Sequence, residues 1–273
     1  MEEVPDYVKT LHAIDLPRSN RIRARVDSVV TDPKVAEKLK AWYPSWCKRP
    51  TFHDEYLPVF NRDNVTLVDT DGKGLDSITN GSIIAGSQSY PVDVIIFATG
   101  FREPFGGTPA ERANMTITGK GGVSMSKEWA SKGPSTLHGI LDHNFPNLFL
   151  SGLWQSSNSP NFVFSVGEVA KHAAYILAEA KRRTGGQPLT VTSTPAATED
   201  WATQIMMHGL PLAAGMGCTP SYFNIEGAID RAPPEQQMLI ARSGIWGYGF
   251  EDFLKQLEAW RAEGNMKGVE VQV

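Results

Sequence analysis

The sequence predicts an α/β fold, and three observations carry the prediction. Val92-Asp93-Val94-Ile95-Ile96-Phe97-Ala98 is a near-continuous apolar run, the pattern of a parallel strand buried on both faces, and it leads straight into Thr99-Gly100. Asn147-Leu148-Phe149-Leu150-Ser151-Gly152 reads as a second short buried strand. A long helix follows it, with Val166, Val169, Ala170, Ala173, Leu177 and Ala180 recurring at helical spacing. Strands that alternate with helices specify the α/β class.

Along the chain, the first legible element is a short helix. Asp32 is its N-cap, Pro33 suits the first helical position, Val35, Leu39 and Trp42 share a face, and Pro44 stops it. Asn64 to Val68 reads as a strand. Asp76 to Ile84 reads as a hairpin, because Ile78-Thr79 and Ile83-Ile84 flank the turn dipeptide Asn80-Gly81. Residues 103–135 are rich in Gly and read as loop. The helix after Phe162 ends on Lys181, Arg182 and Arg183, with Gly185 as its cap. A further helix starts at Pro195 and turns Trp201, Ile205 and Met206 inward. The last spans Phe250–Glu263, with Phe250, Phe253, Leu254, Leu257 and Trp260 on one stripe and Gly264 after its end.

Composition excludes several classes. The 273 residues carry a net charge of -4, without the basic footprint of a nucleic-acid binder. Cys47 and Cys218 are too few for a disulfide framework, and no Cys-x-x-Cys points to zinc. The start, Met1-Glu2-Glu3-Val4-Pro5-Asp6, lacks the apolar core of a signal peptide, and no apolar run reaches the ~18–20 residues of a membrane span. The expectation is a soluble, cytoplasmic protein without a metal.

Familiar catalytic and phosphate-binding motifs are missing as well. There is no Gly-x-Gly-x-x-Gly; Gly72-Lys73-Gly74 and Gly119-Lys120-Gly121-Gly122 lack both the third glycine and a preceding buried strand. P-loop, His-Glu-x-x-His and Gly-x-Ser-x-Gly patterns are absent. What remains is the strand ending in Ala98-Thr99-Gly100. Ligands of open α/β sheets bind beyond such carboxyl ends, where small residues admit a cofactor; a core strand ending in an ordinary glycine turn reads the same way.

Asp93 to Phe101 resembles the Ala-Thr-Gly segment of the class B flavoprotein monooxygenases. The stretch from Tyr43-Pro44-Ser45-Trp46-Cys47-Lys48-Arg49-Pro50 to Phe60-Asn61-Arg62-Asp63-Asn64-Val65-Thr66-Leu67-Val68-Asp69 is similar to their Baeyer–Villiger branch. Phe145 to Gly152, Cys218 to Asn224 and Trp260-Arg261-Ala262 resemble later parts of the same branch, in family order. The resemblance covers only the C-terminal part of a flavoprotein with two dinucleotide-binding domains. It implies that residues 1–95 end the NADP-binding domain, 96–190 end the FAD-binding domain, and 191–273 form a helical tail.

The resemblance also implies chemistry: FAD and NADPH as cofactors, and a small-molecule ketone converted to an ester or lactone. It makes Arg49 the catalytic residue, because a guanidinium stays charged and can hold a developing oxyanion. Lys48 matches a contact to the 2′-phosphate of NADPH. Thr99, Gly100, Gly152, Gln155 and Asn161 match positions around the flavin, where amides tune the ring by hydrogen bonding. Leu153 stands where many relatives have proline. Because the glycine fingerprints are absent, the resemblance implies a truncated gene product, one half of a split enzyme whose partner is a separate N-terminal half, or a protein repurposed after losing its redox half. The rival reading is a non-redox protein of this origin that binds a small molecule or steers a cyclisation.

Overall fold

The computed structural model describes residues 3–100 and 107–273. It divides into two compact units, Glu2–Arg102 and Glu103–Val273. Phe101, the last residue of the strand motif, and the first residues of the Gly-rich segment, through 106, lie outside the described residues.

The first unit opens with α1 (Glu3–Val29), a long helix that the sequence reading did not find and that carries Pro17 in its interior. α2 (Pro33–Leu39) follows as expected, with the Asp32 carboxylate accepting from the Lys34 N–H at 2.8 Å. It ends at Leu39 because Lys40 turns to extended backbone, so Trp42 is not on its face. Trp42 is 62% exposed and lies under the Arg23 guanidinium instead. α3 (Tyr56–Val59) completes a small core of Val26, Val30 and Ala36, against which Leu39, Leu57 and Phe60 pack.

The expected hairpin is present. β1 (Ser77–Thr79) and β2 (Ser82–Ala85) pair antiparallel with Ile78 opposite Ile83, and Gly81 takes the positive φ the turn requires. β3 (Gln88–Pro91) adds a third antiparallel strand. Two expectations fail here. Asn64 to Val68 forms no ladder, and neither does Val92 to Gly100. Val94, Ile96 and Phe97 are 76%, 86% and 68% exposed. A run that is apolar on both faces becomes a buried strand only between neighbouring strands, and among the described residues none pairs with it.

The second unit begins with two helices where loop was expected. α4 (Pro109–Arg112) is held by a capping box between Thr108 and Glu111, and α5 (Met125–Lys132) buries Met125 and Trp129, one turn apart. β4 (Thr136–Leu137) and β5 (Leu141–Asp142) form a short hairpin, which Phe149 extends by a single bridge to Leu141. The predicted strand over Asn147–Ser151 is therefore reduced to that bridge and a buried Leu150. α6 (Phe162–Arg183) has its expected ends, with Gly186 N–H donating to Lys181 O at 2.9 Å beyond the last turn. Its buried face is rotated from the expected one. Ser165, Val169, His172, Ile176 and Ala180 point inward, while Ala170 and Leu177 are exposed.

β6 (Thr190–Ser193), α7 (Pro195–Met207), α8 (Ala228–Arg231), α9 (Pro234–Arg242), α10 (Phe250–Glu263) and β7 (Val269–Gln272) complete the unit. β7 returns to pair antiparallel with β6. One core joins Ile140, Leu141, Ile176, Val191 and Trp260; a second joins Trp201, Ile205, Trp246, Phe253 and Leu257. The α/β class holds, but every ladder among the described residues is antiparallel and short.

Candidate functional site

The expected site residues fall into two groups. Lys48, Arg49, Thr99 and Gly100 belong to the first unit; Gly152, Gln155 and Asn161 belong to the second. Lys48 and Arg49 sit on the irregular segment after α2, where Cys47 N–H closes a turn onto Pro44 O at 3.0 Å. Arg49 is exposed, and Lys48 is half-buried with its ammonium 5.2 Å from the Tyr43 ring. Thr99 and Gly100 lie in exposed, irregular chain, and Gly100 has φ +83° with open space where a Cβ would stand.

Asn161 is the N-cap of α6, its Oδ1 accepting from Phe164 N–H at 3.1 Å. The cap uses one first-turn donor and leaves the Phe162 and Val163 N–H groups, on a 22-residue helix, to acceptors outside it. Gly152 is tight: a Cβ there would meet the Trp154 ring at 2.3 Å. Beside it, a crevice lined by Gly152, Leu153, Ser157, Phe162 and Val166 contains the Ser157 hydroxyl, buried and without a hydrogen-bond partner. Sequence reasoning passed over Ser157, because nothing in a Ser-rich stretch marks one hydroxyl as orphaned.

Gln155 does not offer its side chain to a ligand. It is fully buried, and its Oε1 accepts from Thr136 N–H at 2.8 Å and the Thr136 hydroxyl at 2.6 Å. Its Nε2 donates to Pro134 O at 2.8 Å and Arg242 O at 3.1 Å. The backbone joins in: Gln155 N–H reaches Gly244 O, and Trp201 Nε1 donates to Gln155 O at 2.8 Å. Gln155 therefore braces the loop between Gly152 and Asn161 from behind, and it holds φ +55° to do so.

A buried polar chain backs the same region. The Arg261 guanidinium, which can only donate, faces His172 Nδ1 at 3.1 Å. His172 then has its proton on Nε2 and donates to His138 Nδ1 at 3.1 Å. Burial, with the Arg261 charge, holds the His172 pKa down to about 3, and burial keeps His138 well below the usual range too. His138 packs edge-on to Trp201 and Trp260. Two neutral imidazoles thus link α10, α6 and the β4–β5 turn. Among the described residues, no three His, Cys, Asp or Glu side chains are grouped to hold a metal, and no helix is long and apolar enough to cross a membrane.

No family model matches the chain. It is 42% identical over 274 aligned residues to a polycyclic ketone monooxygenase of Thermothelomyces thermophilus, covering 99% of this chain and 42% of that protein. It is 40% identical over 271 residues to the FAD-binding monooxygenase ausC of Emericella nidulans, covering 98% of this chain and 40% of the relative. The solved structure of the polycyclic ketone monooxygenase from Thermothelomyces thermophila superposes with a TM-score of 0.93 at 41% identity, over 99% of this chain and 42% of that one. The chain thus spans about two fifths of the length of the relatives it matches.

Proposed function

We propose, because the chain belongs to the Baeyer–Villiger branch of the class B flavoprotein monooxygenases, that it is the C-terminal part of an enzyme converting a ketone to an ester or lactone. The overall reaction consumes ketone, O2, NADPH and a proton, and gives ester, water and NADP+. The observation carrying this reading is the 42% identity along 99% of the chain to a polycyclic ketone monooxygenase, with the Lys48-Arg49 pair inside the matched stretch.

The residues present suit the ring end of FAD. The orphaned Ser157 hydroxyl beside Gly152 and the first-turn N–H groups of α6 offer donors to an acceptor-rich heterocycle. Gly152, Ser157 and Asn161 would hold it and Gln155 would keep their loop in place; Thr99 and Gly100 are carried over from the family resemblance alone. FAD bound there would supply the redox chemistry that links NADPH oxidation to O2. Lys48 meets the 2′-phosphate of NADPH as a point charge. Arg49 keeps a fixed positive charge beside the oxyanion that develops when the ketone carbonyl is attacked.

In the same proposal, residues 1–95 end the NADP-binding domain, 96–190 end the FAD-binding domain, and 191–273 are the tail. The pyrophosphate-binding glycine motifs would come from an N-terminal half, and the enzyme would work in the cytoplasm, where NADPH is supplied. The rival reading is a non-redox protein that binds a small molecule or steers a cyclisation. An absorption spectrum of the purified chain, alone and after FAD addition and desalting, separates the two. Retained flavin bands support the monooxygenase reading; a colourless protein with and without an added N-terminal half supports the rival.

A further inference from the structure

We propose that Asp15 is the positioning residue of the Lys48-Arg49 loop, acting through Ser45; the proposal rests on the cofactor role of Lys48 given above. On α1, His12, Asp15, Ser19 and Arg23 recur at helical spacing and form one stripe. Three of them grip the segment that leads into the loop, and the fourth, Ser19, tightens the grip. The His12 ring meets Trp46 edge-on at 5.4 Å. Asp15 accepts from the Ser45 N–H at 3.2 Å and from the Ser45 hydroxyl at 2.5 Å, while the Ser19 hydroxyl donates to it at 2.6 Å. Arg23 donates to Ala41 O at 2.9 Å and lies 4.6 Å over the Trp42 ring.

Asp15 and Ser19 are only 8% and 6% exposed. A carboxylate withdrawn from water is costly unless donors replace its hydration. Burial pushes the Asp15 carboxyl up, but the Ser19 and Ser45 donors outweigh it and hold the pKa below the ordinary value. The charge is thus present at neutral pH and fixed on Ser45. From Ser45 the chain passes through one tight turn, Cys47 N–H to Pro44 O, to Lys48 and Arg49. An apolar stripe would anchor this helix to a core; a polar stripe that clasps backbone fixes where one particular loop runs. Both Asp15 oxygens are taken up by Ser19 and Ser45, so its effect is on the aim of Lys48.

The test uses the full chain and the variants Asp15→Asn and Ser45→Ala, with two measurements. The first is amide hydrogen exchange across residues 43–49, with α10 as the internal record that the chain is folded. The second is the ratio of the NAD+ and NADP+ dissociation constants, which reports the 2′-phosphate contact and is unmoved by a general loss of stability. The wild type prefers NADP+. Asp15→Asn speeds exchange at 45–49 while α10 stays protected, and it cuts the preference about tenfold, the effect of losing one charge-assisted hydrogen bond at an aiming position. Ser45→Ala, the milder change, moves both in the same direction. Unchanged exchange at 45–49, or an unchanged ratio in a wild type that does prefer NADP+, overturns the positioning role. A wild type that binds both dinucleotides equally overturns the Lys48 reading itself, and the proposal falls with it.

Discussion

Replacing Gln155 by leucine removes the side chain on which four protein groups converge while keeping most of its volume. Thr136 is fully buried, and both its N–H and its hydroxyl lose their acceptor. Pro134 O keeps the Arg242 Nε donor at 3.0 Å, so it is not stranded, whereas Arg242 O loses its contact to Gln155. A buried donor without a partner costs ~1–3 kcal/mol, and the hydroxyl can turn to another acceptor while the N–H cannot. Gln155→Leu should therefore destabilise the unit by about 3 kcal/mol. Urea unfolding followed by tryptophan fluorescence measures it, since Trp201 donates to Gln155 O. Gln155→Glu sharpens the test. It keeps the acceptor for Thr136 but sets a carboxylate against two carbonyls, which raises its pKa in the folded state. The folded variant then binds more protons than the unfolded one, and its stability falls as pH rises above about 4.5. A Gln155→Leu variant within about 0.5 kcal/mol of wild type, or a Gln155→Glu variant that follows the wild-type pH profile, would refute the brace.

Other predictions follow from burial. His172 is fully buried with its pKa held to about 3, against ~6.5 unfolded, so the unfolded chain binds the extra proton between those values. Stability from this group is complete above pH ~6.5 and is lost at about 1.4 kcal/mol per pH unit as pH falls toward 3; His172→Gln should flatten that slope in pH-dependent unfolding, and an unchanged slope would contradict the neutral pair. Ile96 is 86% exposed on an irregular segment without ladder partners, so Ile96→Lys should leave unfolding within about 0.5 kcal/mol of wild type. It should also reduce apolar-dye binding and self-association of the isolated chain. Sedimentation that shows a monomer already in the wild type would remove the basis for this.

The elements that were legible in sequence are those whose information is local. α10 matched residue for residue because its apolar stripe and Gly264 both lie within one segment; the Asn80-Gly81 hairpin and the two ends of α6 were legible for the same reason. α1 was missed because its working stripe is His12, Asp15, Ser19 and Arg23, whose partner is backbone rather than core, and because Pro17 breaks the pattern. The inward face of α6 was misread because two polar residues displace apolar ones: Ser165, bonded to Ser159 N–H and Asn161 O in the loop before the helix, and His172, which meets the distant Arg261. Val92 to Ala98 failed in the opposite way: its composition describes a sheet interior whose neighbouring strands are not among the described residues. At the site, Asn161 was read only as a flavin-side amide, and its role as the N-cap of α6 came from the structure. The commitment of Gln155 depends on residues up to 89 positions away, which no local pattern contains.

The most direct test of the account is Arg49, measured in the proposed monooxygenase, with the proposed N-terminal half supplied. Ester formation and NADPH consumption are followed side by side for wild type, Arg49→Ala and Arg49→Lys. Hydride transfer chiefly needs the two rings apposed, so NADPH consumption should survive in part. Losing a fixed charge beside a developing oxyanion costs ~10²–10³ in rate at comparable sites, so ester formation should fall by about that factor in Arg49→Ala. Lysine should restore little, because a compact ammonium does not reproduce the reach of the planar fork. An unchanged ester yield in Arg49→Ala would contradict the account and leave Arg49 a surface charge.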